Sequence, residues 1–341
     1  RYFHKQLIMP WLMLPNLPTW SEMGVLEYLP KFFFPLRADS GHEMYDIVYN
    51  GFRQGIATGK DDIGFLDWPV SAWLPPMKFW LPLLALFVLI SVSLSMVVHR
   101  QWAHHEQMPY PLARVATYLF SRNAGRVLPD VFYNRLFWSV FSAVIFLRLW
   151  ITVGAYFPES LPGIQIHHYF GPQMEKIFPV LKKVPRSADI TQFRIYFMFI
   201  GLAYFISTEM SFSVALGKPL LIFLCAQYYL STGTMVSEAD TGFLHAGAYV
   251  AYFLIILYVG RRYYTRIFLD ALTFKKDDTG AAGAARVFLL ALTAFTVLLI
   301  SIGLDWFLAV IFSLSLILFL LVFTRIICES GIPFLQACFK P

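Results

Sequence analysis

The stretch "FWLPLLALFVLISVSLSMVV", Phe79–Val98, carries no charged residue. At about 1.5 Å per residue it covers the roughly 30 Å hydrocarbon core of a bilayer, so it reads as a transmembrane helix. Directly after it comes "HRQWAHHEQMPYPLARV", His99–Val115, which crowds histidines, a glutamate and arginines at the membrane exit. Its two prolines bend the chain, and "LARVATYLF" restarts as an amphipathic stretch along the membrane surface.

The rest of the chain has the same character. Of 341 residues, 58% are hydrophobic and 14% charged, with mean hydropathy +0.59. Soluble domains carry about 25% charged residues, so this composition predicts a polytopic membrane protein whose main partner is the lipid bilayer. The net charge of +6 fits basic loops between spans better than a nucleic-acid surface, and no nucleic-acid partner is expected. Cys225, Cys328 and Cys338 sit in or beside apolar runs without any zinc spacing and read as small buried hydrophobes.

Apolar runs predict an all-α transmembrane helix bundle over 79–341. About seven spans are expected, near 79–98, 132–157, 193–216, 219–234, 243–260, 287–304 and 306–327. The run at 219–234 is short and holds Gln227 and Ser-Thr-Gly-Thr, the composition of a broken or re-entrant helix. Residues 1–78 are rich in proline and tryptophan and predict an interfacial, extracytoplasmic segment. Alternation places Arg100, Arg114, Arg122, Arg126, Lys218, the basic run Arg261–Arg286 and Arg325 on one face, cytoplasmic by the positive-inside rule. Residues 1–78 and 158–192 then face outward. The chain opens at Arg1 without a methionine and stops soon after a span, so further segments are expected beyond both ends.

A few polar residues stand where lipid would be expected. Glu209 lies in an apolar run with Ser207, Thr208 and Ser211 beside it. A mid-membrane carboxylate costs at least about 2.5–3.5 kcal/mol on insertion scales and needs a partner, a proton or water. Three readings of it stay open: hydrogen-bonded helix glue, a proton-coupling or substrate-contacting group, or a misplaced span boundary. Arg148 is offset by roughly 12 Å along the membrane normal and is too far to pair with it. Glu329 follows Arg325 by four residues, the spacing of an intrahelical ion pair, before a Gly-Ile-Pro run that breaks the helix. Glu209, Ser207, Thr208, Ser211, Gln227 and Glu329 are therefore the candidates for a substrate or ion pathway. His99, His104 and His105 do not share an ideal helix face, so no metal is expected there. No cofactor motif or nucleophile–base set is legible, and no enzymatic activity is expected.

"RQWAHHEQMPYPL", with Arg100, Gln101, Trp102, Glu106 and Pro111, resembles the R-Q-W-x-x-x-E-x-x-x-F/Y-P-L connector of a family of large polytopic bacterial membrane proteins of unknown function. That family is of planctomycete and verrucomicrobium type. "YFISTEMSFSVAL", "YVGRRYYTRIFLDALTFKKDD" and "TRIICESGIPF" resemble its further elements. Members are distantly similar to oligopeptide transporters in overall pattern, which implies a multi-pass, inner-membrane, transporter-like protein. Proton-coupled movement of a small peptide-like or organic solute is the activity this suggests. The competing reading is a non-transporting subunit that scaffolds a larger membrane complex, as a homo-oligomer or with other membrane subunits.

Overall fold

The computed structural model describes residues 70–332 except 160, 165 and 276–279, together with 22–23 and 33–34. The expected N-terminal segment 1–78 therefore lies almost wholly outside the described residues. Helix dominates. α1 (Val70–Arg100) runs into a π turn (Gln101–His105) and then α2 (Pro111–Phe120). A 3-10 turn (Asp130–Tyr133) leads to α3 (Arg135–Tyr156). A run of short pieces follows: β1 (His167–Tyr169), α4 (Gly171–Ile177), a 3-10 turn (Pro179–Lys183), α5 (Ala188–Thr191), β2 (Gln192–Arg194) and α6 (Phe197–Ala203). The chain closes with α7 (Thr208–Thr232), α8 (Glu238–Val259), α9 (Arg261–Leu272), α10 (Ala281–Ser301) and α11 (Trp306–Ser330). β1 and β2 form one antiparallel pair, with His168 opposite Phe193.

Among the described residues, six helices are long and apolar enough to cross a membrane: α1, α3, α7, α8, α10 and α11. The all-α polytopic bundle is thus present, and the chain is a multi-pass membrane protein. Its surface agrees. Leu136, Phe146, Phe212, Leu254 and Leu314 are all exposed, and apolar area on that scale suits a surface in contact with lipid.

The difference from the sequence expectation lies around 193–234. In place of two spans there is a seven-residue α6, a turn at Tyr204–Ser207, and one continuous α7. The sequence suggests a break at Gly217-Lys218-Pro219, yet the helix runs through Pro219. The break falls earlier because Ser207 caps α7, its hydroxyl accepting from the Met210 N–H at 3.4 Å. Gly233, at φ 71°, ends the same helix in the left-handed region that glycine adopts without a Cβ clash.

The chain divides into two compact units. The first holds residues 1–99 and 263–315. In it the Tyr263 hydroxyl donates to the Val97 carbonyl at 3.1 Å. α10 opens on buried Ala281, Ala282, Ala284 and Ala285, small side chains that allow close helix approach. Arg286 closes the preceding loop by donating to the carbonyls of Asp270, Ala271 and Lys275. α10 and the start of α11 are joined by a Thr296–Ser313 hydroxyl contact of 2.8 Å and stacked Phe295 and Phe312.

The second unit holds residues 100–262 and 316–341. Here Tyr249 of α8 packs edge-on against Phe323 and Phe319 of α11, with ring centroids 5.4 and 6.2 Å apart. α8 starts with a capping box: the Ser237 hydroxyl accepts from the Asp240 N–H, and the Asp240 carboxylate accepts from the Ser237 N–H. Leu181 and Val184 form a small buried cluster with Ile222 and Ala226 of α7.

Candidate functional site

In the second unit the π turn, α8 and α11 bring polar and charged side chains together at one place. The Arg325 Nε donates to Glu329 Oε1 at 2.7 Å, as the four-residue spacing predicts. Another nitrogen of the same guanidinium donates to Glu106 Oε2, just past the π turn. Gln101 Nε2 donates to the other Glu106 oxygen at 3.0 Å. The Tyr252 hydroxyl, from α8, donates to Glu329 Oε2 at 2.8 Å. The guanidinium also lies over the Trp102 ring, 5.2 Å from its centroid, a favourable cation–π placement.

The π turn makes this arrangement reachable. On an α-helix, residues five apart point about 140° away from each other. The wider turn instead aligns i with i+5, shown by the Glu106 N–H donating to the Gln101 carbonyl at 3.0 Å. Gln101 and Glu106 thereby share a side, and Trp102 is buried beneath. Such insertions recur at functional sites.

The cluster is well shielded: the Arg325 and Glu106 side chains are 15% and 14% exposed. Two carboxylates face one guanidinium, so the ionised cluster keeps one uncompensated negative charge. Tyr252 and Gln101 supply neutral donors to it. Among the described residues, the buried Trp102 indole N–H has no hydrogen-bond partner. Tyr110, beside the cluster and outside the spans, has its phenol pushed above the ordinary value of 10.0. Burial is the main cause, reinforced by Cys328 and Glu106 and opposed by Arg325.

Gly331 locks the end of α11 against the connector. Its φ is 65°, and a Cβ there would stand 2.8 Å from the Pro111 Cβ and 3.7 Å from the Ile206 Cγ1. Only glycine fits that approach.

Of the residues singled out from the sequence, Gln101, Trp102, Glu106 and Glu329 converge here, and Pro111 packs on Gly331. Arg100 sits exposed at the end of α1. Glu209 lies in the first turn of α7, exposed, rather than in mid-span. Ser207 is the cap of that helix, and Thr208, Ser211 and Gln227 are exposed along it. The structure does not bring these to the cluster. Arg148 is exposed on α3. His104 and His105 lie on the π turn, and among the described residues no three His, Cys, Asp or Glu side chains are grouped to hold a metal. Sequence reasoning missed Tyr252 and the long-range partner of Arg325. The polar positions at 101, 106 and 325, all next to apolar runs, were the available signal.

The chain matches a family of unknown function, DUF6785, over residues 1–341, and it belongs to that family. No curated protein and no solved structure matches it.

Proposed function

We propose that this chain is a transport protein of the bacterial inner membrane, and that Glu106, Arg325, Glu329 and Tyr252 form its coupling clasp. The observation that carries the reading is one largely shielded guanidinium shared by two carboxylates, Glu106 just past the π turn and Glu329 on α11. With both carboxylates ionised, Arg325 ties the α1 exit to the end of α11. Neutralising one carboxylate would remove the surplus negative charge and weaken that arm of the clasp, so charge at this site is linked to the separation of helix ends, the linkage that ion-coupled transport requires.

The role that the sequence suggests for Glu209 falls in this reading to Glu106 and Glu329. The arginines that follow α1, Arg114, Arg122 and Arg126, favour a cytoplasmic position for the clasp. The cargo suggested by the family resemblance is a small peptide-like or organic solute. The test is uptake of a short-peptide mixture into proteoliposomes under an imposed pH gradient, read by mass spectrometry. Wild-type protein is expected to accumulate cargo with the gradient, and Glu106→Gln and Glu329→Gln to lose that dependence. Equal accumulation with and without the gradient rules out coupling at the clasp.

A second reading has its own support. The apolar window of α3 has no buried residue, which suits a helix that receives a neighbouring subunit. A non-transporting scaffold would leave the clasp as structure only, and both Gln variants would assemble normally while no preparation moved cargo.

A further inference from the structure

The helix directions leave one crossing unaccounted for. Tyr249 meets Phe319 and Phe323, and Tyr252 meets Glu329 three residues further on. Advancing along α8 therefore advances along α11, so the two run parallel. Glu106, at the exit of α1, pairs with Arg325 near the end of α11. α8 and α11 thus both deliver their C-terminal ends to the clasp face, where Glu106 also lies. Between Glu106 and the start of α8 the chain must cross an odd number of times.

Among the described residues, two spanning helices lie in that interval, α3 and α7. Both leave from the clasp face. α3 follows a 3-10 turn that packs on α2. α7 begins beside the clasp: Ile206 is among the nearest neighbours of Gly331, and the Phe205 ring lies 6.5 Å from that of Tyr118 on α2. The missing return passage is therefore residues 157–206.

Among its described residues that passage contains no spanning helix. It is built from two three-residue strands, short helices and turns, with α6 rising only about 10 Å. It packs along the inner length of α7. Asp189 Oδ2 stands 3.1 Å from Lys218 Nζ, about 15 Å along α7 from its start. Leu181 and Val184 meet Ile222 and Ala226, about 21–27 Å along it. The charged loop thus reaches the middle of the bilayer. Arg186 pairs with Asp189 at 3.0 Å, and Lys182 with Glu175 at 4.0 Å. Lys176 and Lys183 lie on the same segment, so cations outnumber carboxylates.

Irregular, charged backbone survives at membrane depth only inside protein or beside water. The side chains of Lys182, Arg186, Asp189 and Lys218 are about a third to two-thirds exposed, so the described residues do not bury them, and water is the neighbour that satisfies charge at this depth. We infer that residues 166–206 and α7 line a water-filled vestibule, open on the face opposite the clasp, that takes a small anionic solute through Lys218 and Arg186. Calling the anion a cargo rests on the transport reading; the vestibule and its charge do not.

The test uses full-length protein with Cys225, Cys328 and Cys338 replaced by Ser, in neutral-lipid nanodiscs. Single cysteines are introduced as Ser187→Cys, beside Asp189, and Ala215→Cys, one turn before Lys218. Each is reacted with a sulfonate-bearing and a trimethylammonium-bearing methanethiosulfonate. Reaction at one or both sites is expected, with the sulfonate favoured about tenfold over its ratio on a free thiol. That preference should shrink to about threefold or less in Lys218→Gln or Arg186→Gln. Silence of both cysteines would show a dry passage and overturn the vestibule. A preference for the cationic reagent, or none, overturns the anion assignment. So does a preference that disappears when anionic lipid is added to the nanodisc, because a headgroup would then be the occupant. None of these readouts needs turnover, so failure here and failure of transport are separate results.

Discussion

Arg325 holds Glu106 across 219 positions of sequence, and it does so from the same guanidinium that holds Glu329 one turn along its own helix. The pair joins the start of the second unit to its C-terminal end. Breaking one side of a shielded pair strands the other charge, which costs about 3–5 kcal/mol in buried examples.

Arg325→Met is therefore expected to lower stability by about 3–5 kcal/mol, because two carboxylates then face each other without a cation. The double variant Arg325→Met/Glu106→Gln should recover part of that loss. Thermal unfolding in detergent across the four proteins of the cycle measures it. Additive effects would show that the two side chains are not coupled.

Gly331→Ala should destabilise by about 1–2 kcal/mol, since it forces a Cβ into the left-handed region and against Pro111. A Tm equal to wild type would mean that the chain relaxes there freely, and the close approach would then not hold the end of α11.

Membrane sidedness follows from the helix directions. Asn123→Cys and Tyr204→Cys are expected to label from one side of the membrane, and Gly163→Cys and Met235→Cys from the other. Labelling of Met235→Cys together with Asn123→Cys would make the number of crossings even and remove the broken passage. Tyr204→Cys labelling with Gly163→Cys would place the start of α7 away from the clasp.

Tyr110 sets an alkaline limit. Its folded-state value lies above the ordinary 10.0, so between those two values the folded chain holds a proton that the unfolded chain has lost. The stability contributed at lower pH is lost as pH rises through that window. From about pH 9 to about pH 11, wild type should lose more stability than Tyr110→Phe, measured by chemical unfolding at each pH. Identical slopes would place the phenol in water.

Much of this was legible from apolar runs, because a bilayer demands long uninterrupted helices and the composition of Phe79–Val98 or Trp306–Ser330 permits little else. The Arg325–Glu329 pair was legible too, since four-residue spacing fixes proximity on one helix. The partner of Arg325 was not, because a contact across 219 positions leaves no local trace. The π turn hid the shared side of Gln101 and Glu106, as ideal α spacing sets them apart. Between α3 and α7 the apolar residues of 195–206 look like half a span. The Ser-Thr-Glu that follows them is a capping signal, and it outweighed the Gly-Lys-Pro further on. Glu209 consequently sits at a helix start, where the exposed N–H groups favour a carboxylate.

α3 is tied down mainly at its ends. The Trp138 indole N–H donates to the Phe132 carbonyl at 2.8 Å, and that of Trp150 to the Pro162 carbonyl at 3.1 Å. None of the apolar window between is buried. At about 33 Å long it slightly exceeds the hydrocarbon thickness of an average bilayer, and excess length is relieved by tilt. Lipid chain length therefore acts on this helix with little packing to resist it: in a thinner bilayer α3 leans over on its two indole tethers.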